Sequence, residues 1–226
     1  MRTYRHILLI SIILLASSSI FAAYKGEFCE KNYSSYDNRV SVKDLREMTM
    51  PATSVLSVDG RKNGGISVKG ESRSDILIRA CVRAWGEDQA KADSALKATR
   101  IATGSIVKAD NPDEKAKYSV SYQILVPRST NLKLMAKNGG ISISSVEGNL
   151  EFETKNGGVS LSDVAGNVKG VTKNGGVSVK LSGNRFNGSG LNVETKNGGV
   201  SLYMPANYAA DVETGTVNGG LKSDFK

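Results

Sequence analysis

Beyond residue 55, polar and apolar side chains alternate along most of the chain with a period of two, the signature of half-buried β-strands. Leu150 and Phe152 alternate with Glu151 and Glu153, and Val159 and Leu161 flank Ser160. In the run from Ile76 to Ala84, Ile76, Ile78, Ala80 and Val82 share one face, with Arg79, Cys81 and Arg83 on the other. Ser119 to Ile124 alternates in the same way, and Pro127 closes that run. A helical period is found once: Ala92, Ala95, Leu96 and Thr99 predict one short amphipathic helix near residues 87–99. The polar run from Asp110 to Lys117 reads as a loop, and residues 23–55 read as an irregular tail.

The strands belong to a repeat. Lys-Asn-Gly-Gly begins at Lys62, Lys137, Lys155, Lys173 and Lys196, and a variant begins at Val217. Asn138, Asn156, Asn174, Asn197 and Asn218 are separated by 18, 18, 23 and 21 residues, a spacing typical of stacked arrays. Each unit has two strands, one Asn-Gly-Gly corner and a second corner at Gly148-Asn149 or Gly166-Asn167. Asn and Gly suit corners because both tolerate positive φ. Two architectures fit. An antiparallel meander would use Asn-Gly as a type I′ turn, setting Phe152 opposite Leu161 and Thr154 opposite Val159. It gives no reason for the recurring Lys, or for Ser67, Ser142, Ser160, Ser178 and Ser201. A β-solenoid does. Stacked Asn and Ser would form hydrogen-bonded ladders, and Ile141, Val159, Val177 and Val200 an apolar column. The expected fold is therefore all-β, a single-domain solenoid over residues 56–226 with the short helix inserted. The variant last unit would serve as its end cap.

The first 22 residues form a leader. Arg2 and Arg5 precede an apolar run from Ile7 to Ala16, and small residues lead to a cleavage point after Ala22. This is the layout of a secretory signal peptide; an uncleaved anchor is the alternative, since the run is at the short edge of a bilayer span. No later stretch is apolar enough to span. Removal of the leader leaves 28 basic and 22 acidic residues, a charge of +6. It also removes His6, the only histidine, and with it Ser-His-Asp and Cys-His nucleophilic sites and any histidine-ligated zinc. Export bears on the two cysteines, because an oxidising compartment favours a Cys29–Cys81 disulfide over two unlinked thiols. Closing a loop of that size would stabilise the chain by about 4 kcal/mol.

The segment from Val58 to Val68, the Ala-rich helix, the run from Ser119 to Pro127 and the succession of Val-Glu-Thr-Lys-Asn-Gly-Gly-Val-Ser-Leu units resemble the bacterial family labelled "putative adhesin". The match covers about residues 55–226 and leaves out the tail that carries Cys29. It implies a β-solenoid on an exported, envelope-associated protein and supplies no catalytic residues.

In a solenoid Lys137, Lys155, Lys173 and Lys196, with Lys62 at one end, would stack about 4.8 Å apart. Such a column would suit an anionic envelope polymer; the alternative is a set of solubilising corners that blunt strand stacking. Aromatics are only 6% of the chain and do not recur in the unit, so specific nucleic-acid binding is not expected. The repeat lacks the aspartate of calcium-binding solenoids, and no phosphate loop follows a strand, so no metal or cofactor is expected. Glu151 and Glu153 share a face, but one that reads as a solvated flank. The expected protein is a non-enzymatic adhesion or interaction module in the periplasm or on the surface of a Gram-negative bacterium, bound to an anionic polymer or another surface protein. The alternatives are a structural or envelope-stress protein without a discrete ligand and, more remotely, a polysaccharide lyase.

Overall fold

The computed structural model of the chain describes residues 27–30 and 39–215. The leader and the variant unit with Asn218 lie outside the described residues. The chain divides into two compact units, Met1–Asn32 and Tyr33–Lys226. The described part of the first is one helical turn, α1 (Glu27–Glu30), with Cys29 buried.

In the second unit, β1 is Val40–Pro51, β2 Val55–Asp59, β3 Ile66–Glu71 and β4 Asp75–Gly86. Helix α2 (Gln89–Ala98) follows; the Asp88 side chain accepts from the Lys91 N–H at 2.8 Å and caps its first turn. Three strands come next: β5 (Arg100–Thr103), β6 (Val107–Asp110) and β7 (Lys117–Pro127). The repeats then alternate long and short strands: β8 (Asn131–Asn138) with β9 (Ile141–Ser144), β10 (Glu147–Asn156) with β11 (Val159–Ser162), β12 (Ala165–Asn174) with β13 (Val177–Lys180), and β14 (Gly188–Asn197) with β15 (Val200–Tyr203).

Long and short strands go to different sheets. One sheet runs β14-β12-β10-β8-β2-β6-β5, the other β1-β4-β7-β3-β9-β11-β13-β15. Within the repeats every strand pairs in parallel with its equivalent in the next unit: Thr154 with Thr172, Val159 with Val177. The antiparallel meander is thereby excluded for the repeats, since β10 and β11 meet at an Asn-Gly-Gly corner without pairing. The inward residues of both sheets form one core, with Leu134, Leu150 and Val168 from the long strands and Ile141, Val159 and Val177 from the short ones. The sheets are mixed, because β1, β4 and β7 pair antiparallel, as do β5 and β6.

The irregular tail expected over residues 23–55 is corrected by β1, a twelve-residue strand paired with β4 along its whole length. Its pattern is obscured because Asp44 and Arg46 occupy positions that an alternating strand would fill with apolar residues. Arg46 is used there to hold helix α2: its guanidinium donates to the Leu96 carbonyl at 2.8 Å and to Thr99 O, while Asp44 accepts from Nε. The last helical carbonyls thus gain a cationic donor. The second corner also lies earlier than expected, at Ser145-Val146 and Asp163-Val164, where Ser145 and Asp163 take positive φ and both valines are buried.

The Asn-Gly-Gly corners stack at backbone contact. A β-carbon on Gly157 would lie 2.2 Å from Gly139 O, and one on Gly175 2.3 Å from Gly157 O. The second glycine is under no such constraint, for a β-carbon on Gly158 would lie 3.4 Å from its nearest neighbour, Gly176 O. Inside the core, Phe152 pairs with Gly170 across the strands, and its ring fills the space that a side chain at 170 would take.

Gly157→Ala is therefore expected to destabilise by about 1–3 kcal/mol and Gly158→Ala by less than about 0.5 kcal/mol, read as a difference in thermal midpoint. A second expectation concerns Tyr122, buried with no hydrogen-bond partner for its hydroxyl among the described residues. Burial, and after it the Asp59 charge, raises its pKa well above the usual tyrosine value. Folding thus favours the neutral form, and this contribution is whole below pH ~10 and lost as pH rises beyond it. Tyr122→Phe should leave stability at neutral pH unchanged or higher and lessen the alkaline loss, as measured by urea melts at both pH values.

Candidate functional site

The outward residues of the long strands line up in rows across their sheet. Lys133, Glu151, Lys169 and Asn192 form one row, and Met135, Glu153, Val171 and Glu194 the next. The third row is of one kind: Lys137, Lys155, Lys173 and Lys196, each one position before the mutually paired Asn138, Asn156, Asn174 and Asn197. All four lysines are exposed. Lys62 extends the row at β2, because Asn63 bridges in parallel to Asn138 and the Asn138 N–H donates to Lys62 O at 3.1 Å. A local kink makes this possible: Arg61 takes φ 55, and its N–H donates to Asp59 Oδ1 at 2.8 Å.

Among the described residues none of these five lysines is in an ion pair. Like charges at strand spacing repel by roughly 1 kcal/mol per pair even in water. The row is held together from beneath, by the asparagines. Asn138 Nδ2 donates to Asn63 Oδ1 at 3.1 Å, Asn156 to Asn138 at 2.7 Å, Asn174 to Asn156 at 2.7 Å and Asn197 to Asn174 at 2.8 Å. Each inner asparagine is donor to one neighbour and acceptor from the other. The backbone repeats the same step, with the Gly64, Gly139, Gly157 and Gly175 N–H groups each donating at 3.0 Å to the asparagine carbonyl of the following unit.

A further ladder was not read from the sequence. Thr154, Thr172 and Thr195 donate their hydroxyls to Gly139 O, Gly157 O and Gly175 O of the preceding corners at 2.9, 2.8 and 2.7 Å. Thr154 and Thr172 are fully buried, so each hydroxyl finds its partner in a corner carbonyl rather than in water. The signal was present in the recurring Thr-Lys-Asn-Gly-Gly, where threonine passes for an ordinary strand residue. The serines behave otherwise than expected: Ser67, Ser142, Ser160, Ser178 and Ser201 are in register, but among the described residues no side-chain hydrogen bond joins them. A carboxamide has both donor and acceptor at its tip and can bond its equivalents on either side at once, as the asparagines do.

Glu151 and Glu153 are both exposed, and Glu151 lies between Lys133 and Lys169 in register. Cys29 and Cys81 are both disulfide-bonded. Cys81 is buried on the face of β4 that carries Arg79, whose Nε donates to Glu47 Oε1 at 2.8 Å. No helix among the described residues is long and apolar enough to cross a membrane.

No family model matches the chain, and no curated protein matches it. Solved structures similar to it include two with adhesion in their descriptions. One is described as a putative cell adhesion protein from Clostridium sporogenes ATCC 15579; it is 13% identical, with 74% of this chain and 100% of that chain covered and a TM-score of 0.45. The other is described as a putative adhesin from Bacteroides fragilis NCTC 9343; it is 11% identical, with 72% and 97% covered and a TM-score of 0.30. The second carries the adhesin name that the resemblance of the repeats introduced, and the first the related name of a cell adhesion protein.

The two roles within one corner separate by substitution. Asn156→Ala removes two ladder bonds and is expected to cost about 1–2 kcal/mol, a fall of about 2–4 °C per kcal/mol in thermal midpoint. Thr172→Val removes the bond to Gly157 O, at a cost of about 0.5–1.5 kcal/mol. Lys155→Ala, which breaks nothing and relieves repulsion, should leave the midpoint within about 0.5 kcal/mol of the parent.

Proposed function

We propose that the protein is an exported, non-catalytic interaction module of the bacterial cell envelope. In this reading the repeats are coils of a β-solenoid, and the lysine row is the surface that engages an anionic polymer. The observation that carries it is the row itself: Lys62, Lys137, Lys155, Lys173 and Lys196 in register, exposed and without acidic partners among the described residues. A line of ammonium groups at one per strand spacing attracts a linear polyanion more strongly than any single lysine could, because the potentials add along the line. The solenoid reading is supported by the parallel pairing of each strand with its equivalent one unit on. Export is supported by the leader pattern and by the bonded cysteines, since disulfides are rare in reducing compartments. The polymer is acidic polysaccharide or phosphorylated glycolipid rather than nucleic acid, because the rows around the lysines contain no aromatic residue on which bases would stack. A structural role without a ligand is the competing reading.

The test is co-sedimentation of the purified protein with isolated cell envelopes at low and high salt. Binding should weaken as salt rises and fall about tenfold or more when Lys137, Lys155, Lys173 and Lys196 are changed together to serine. Binding that is absent at both salts, or indifferent to the four substitutions, would leave the structural role.

A further inference from the structure

Beyond binding, the ladder bears on the chemical lifetime of the chain. The sequence holds seven Asn-Gly pairs, at Asn63, Asn138, Asn156, Asn174, Asn187, Asn197 and Asn218. Asn-Gly is the dipeptide most open to spontaneous deamidation, because a glycine nitrogen is unshielded by any side chain. In that reaction the glycine nitrogen attacks the asparagine Cγ. A C–N bond closes a succinimide ring, the glycine N–H proton is lost and Nδ2 leaves as ammonia. Water then opens the ring at either carbonyl, giving aspartate or isoaspartate.

The rungs oppose this at both reacting atoms. At Asn138, Asn156 and Asn174 the carboxamide is held by a donated and an accepted bond at 2.7–3.1 Å. The attacking nitrogens of Gly139, Gly157 and Gly175 are each engaged with the next unit at 3.0 Å. Closing the ring would require the carboxamide to turn away from its neighbours and the amide to leave its acceptor.

Asn187 is different. It lies at the end of the excursion between β13 and β14 that lengthens this unit to 23 residues. It is exposed, and among the described residues its side chain makes no hydrogen bond. We infer that Asn187-Gly188 is a deamidation site of the folded protein and that the asparagine ladder shields Asn138, Asn156 and Asn174 from the same reaction. The product has a structural consequence. Gly188 is packed so closely that a β-carbon on it would lie 2.2 Å from Gly166 O. Isoaspartate at 187 inserts an extra backbone carbon beside that contact and loosens the start of β14, the last strand of its sheet.

The experiment is incubation of the purified protein in mildly alkaline buffer at growth temperature, followed by tryptic mass mapping. Cleavage after Arg185 and Lys196, and after Lys137, Lys155 and Lys173, puts each of the four pairs in its own peptide. Asn187 is expected to convert at least about tenfold faster than Asn138, Asn156 and Asn174, in line with the several bonds that each rung must break. In denaturant the four rates should converge. Equal rates in the folded protein would overturn the inference. So would a hierarchy that persists in denaturant, for it would then come from neighbouring residues rather than from the ladder.

Discussion

Contact between one glycine and the glycine of the next unit governs the repeats. At Gly139, Gly157, Gly175 and Gly198 the backbone of one corner lies against the carbonyl of the corner before it, with no room for a β-carbon. That closeness brings each asparagine within hydrogen-bond reach of its equivalent and lets each buried threonine reach back to a carbonyl. It also sets the lysines at strand spacing, where they repel. The Asn-Gly-Gly corner is thus a point of attraction in its backbone and of repulsion at its tip. The backbone prevails, since a set of hydrogen bonds per unit outweighs about 1 kcal/mol of screened repulsion.

The opposite end of the sheets follows other rules. There β1, β4 and β7 pair antiparallel, and helix α2 is held by the Arg46 guanidinium. Arg79 is nearly inaccessible, at 4% exposure, and is held by Glu47 and by Gln123. These long-range polar contacts are particular where the repeats are general. They give the array one end that cannot be mistaken for a unit.

Much of this was legible because the repeats say the same thing several times. The alternation of β10 to β13, the Asn-Gly-Gly corner and the in-register lysines each recur, so a periodic pattern carried them. What escaped the reading did so for identifiable reasons. Asp44 and Arg46 break the alternation of β1 because they answer to a helix fifty residues away, and no local pattern records such a partner. Threonine was taken for a strand residue because its hydroxyl bond is made to another unit. Serine shares the register of the asparagines, but only the carboxamides bond to one another. The second corner was set at its glycines, although the turn is made by Ser145 and Asp163, residue types that adopt positive φ less readily.

Unequal unit lengths show where this architecture is free to change. The spacings of 18, 18 and 23 residues differ only in the connection from a short strand to the next long one, while the Asn-Gly-Gly corner stays the same size. Each unit meets its neighbours through the same in-register parallel pairing, so insertion or deletion of a whole unit would leave a junction of the same kind. The number of exposed ammonium groups in the row would change with it. The length of the charged row is then set by the count of units, one rung at a time, without redesign of any contact.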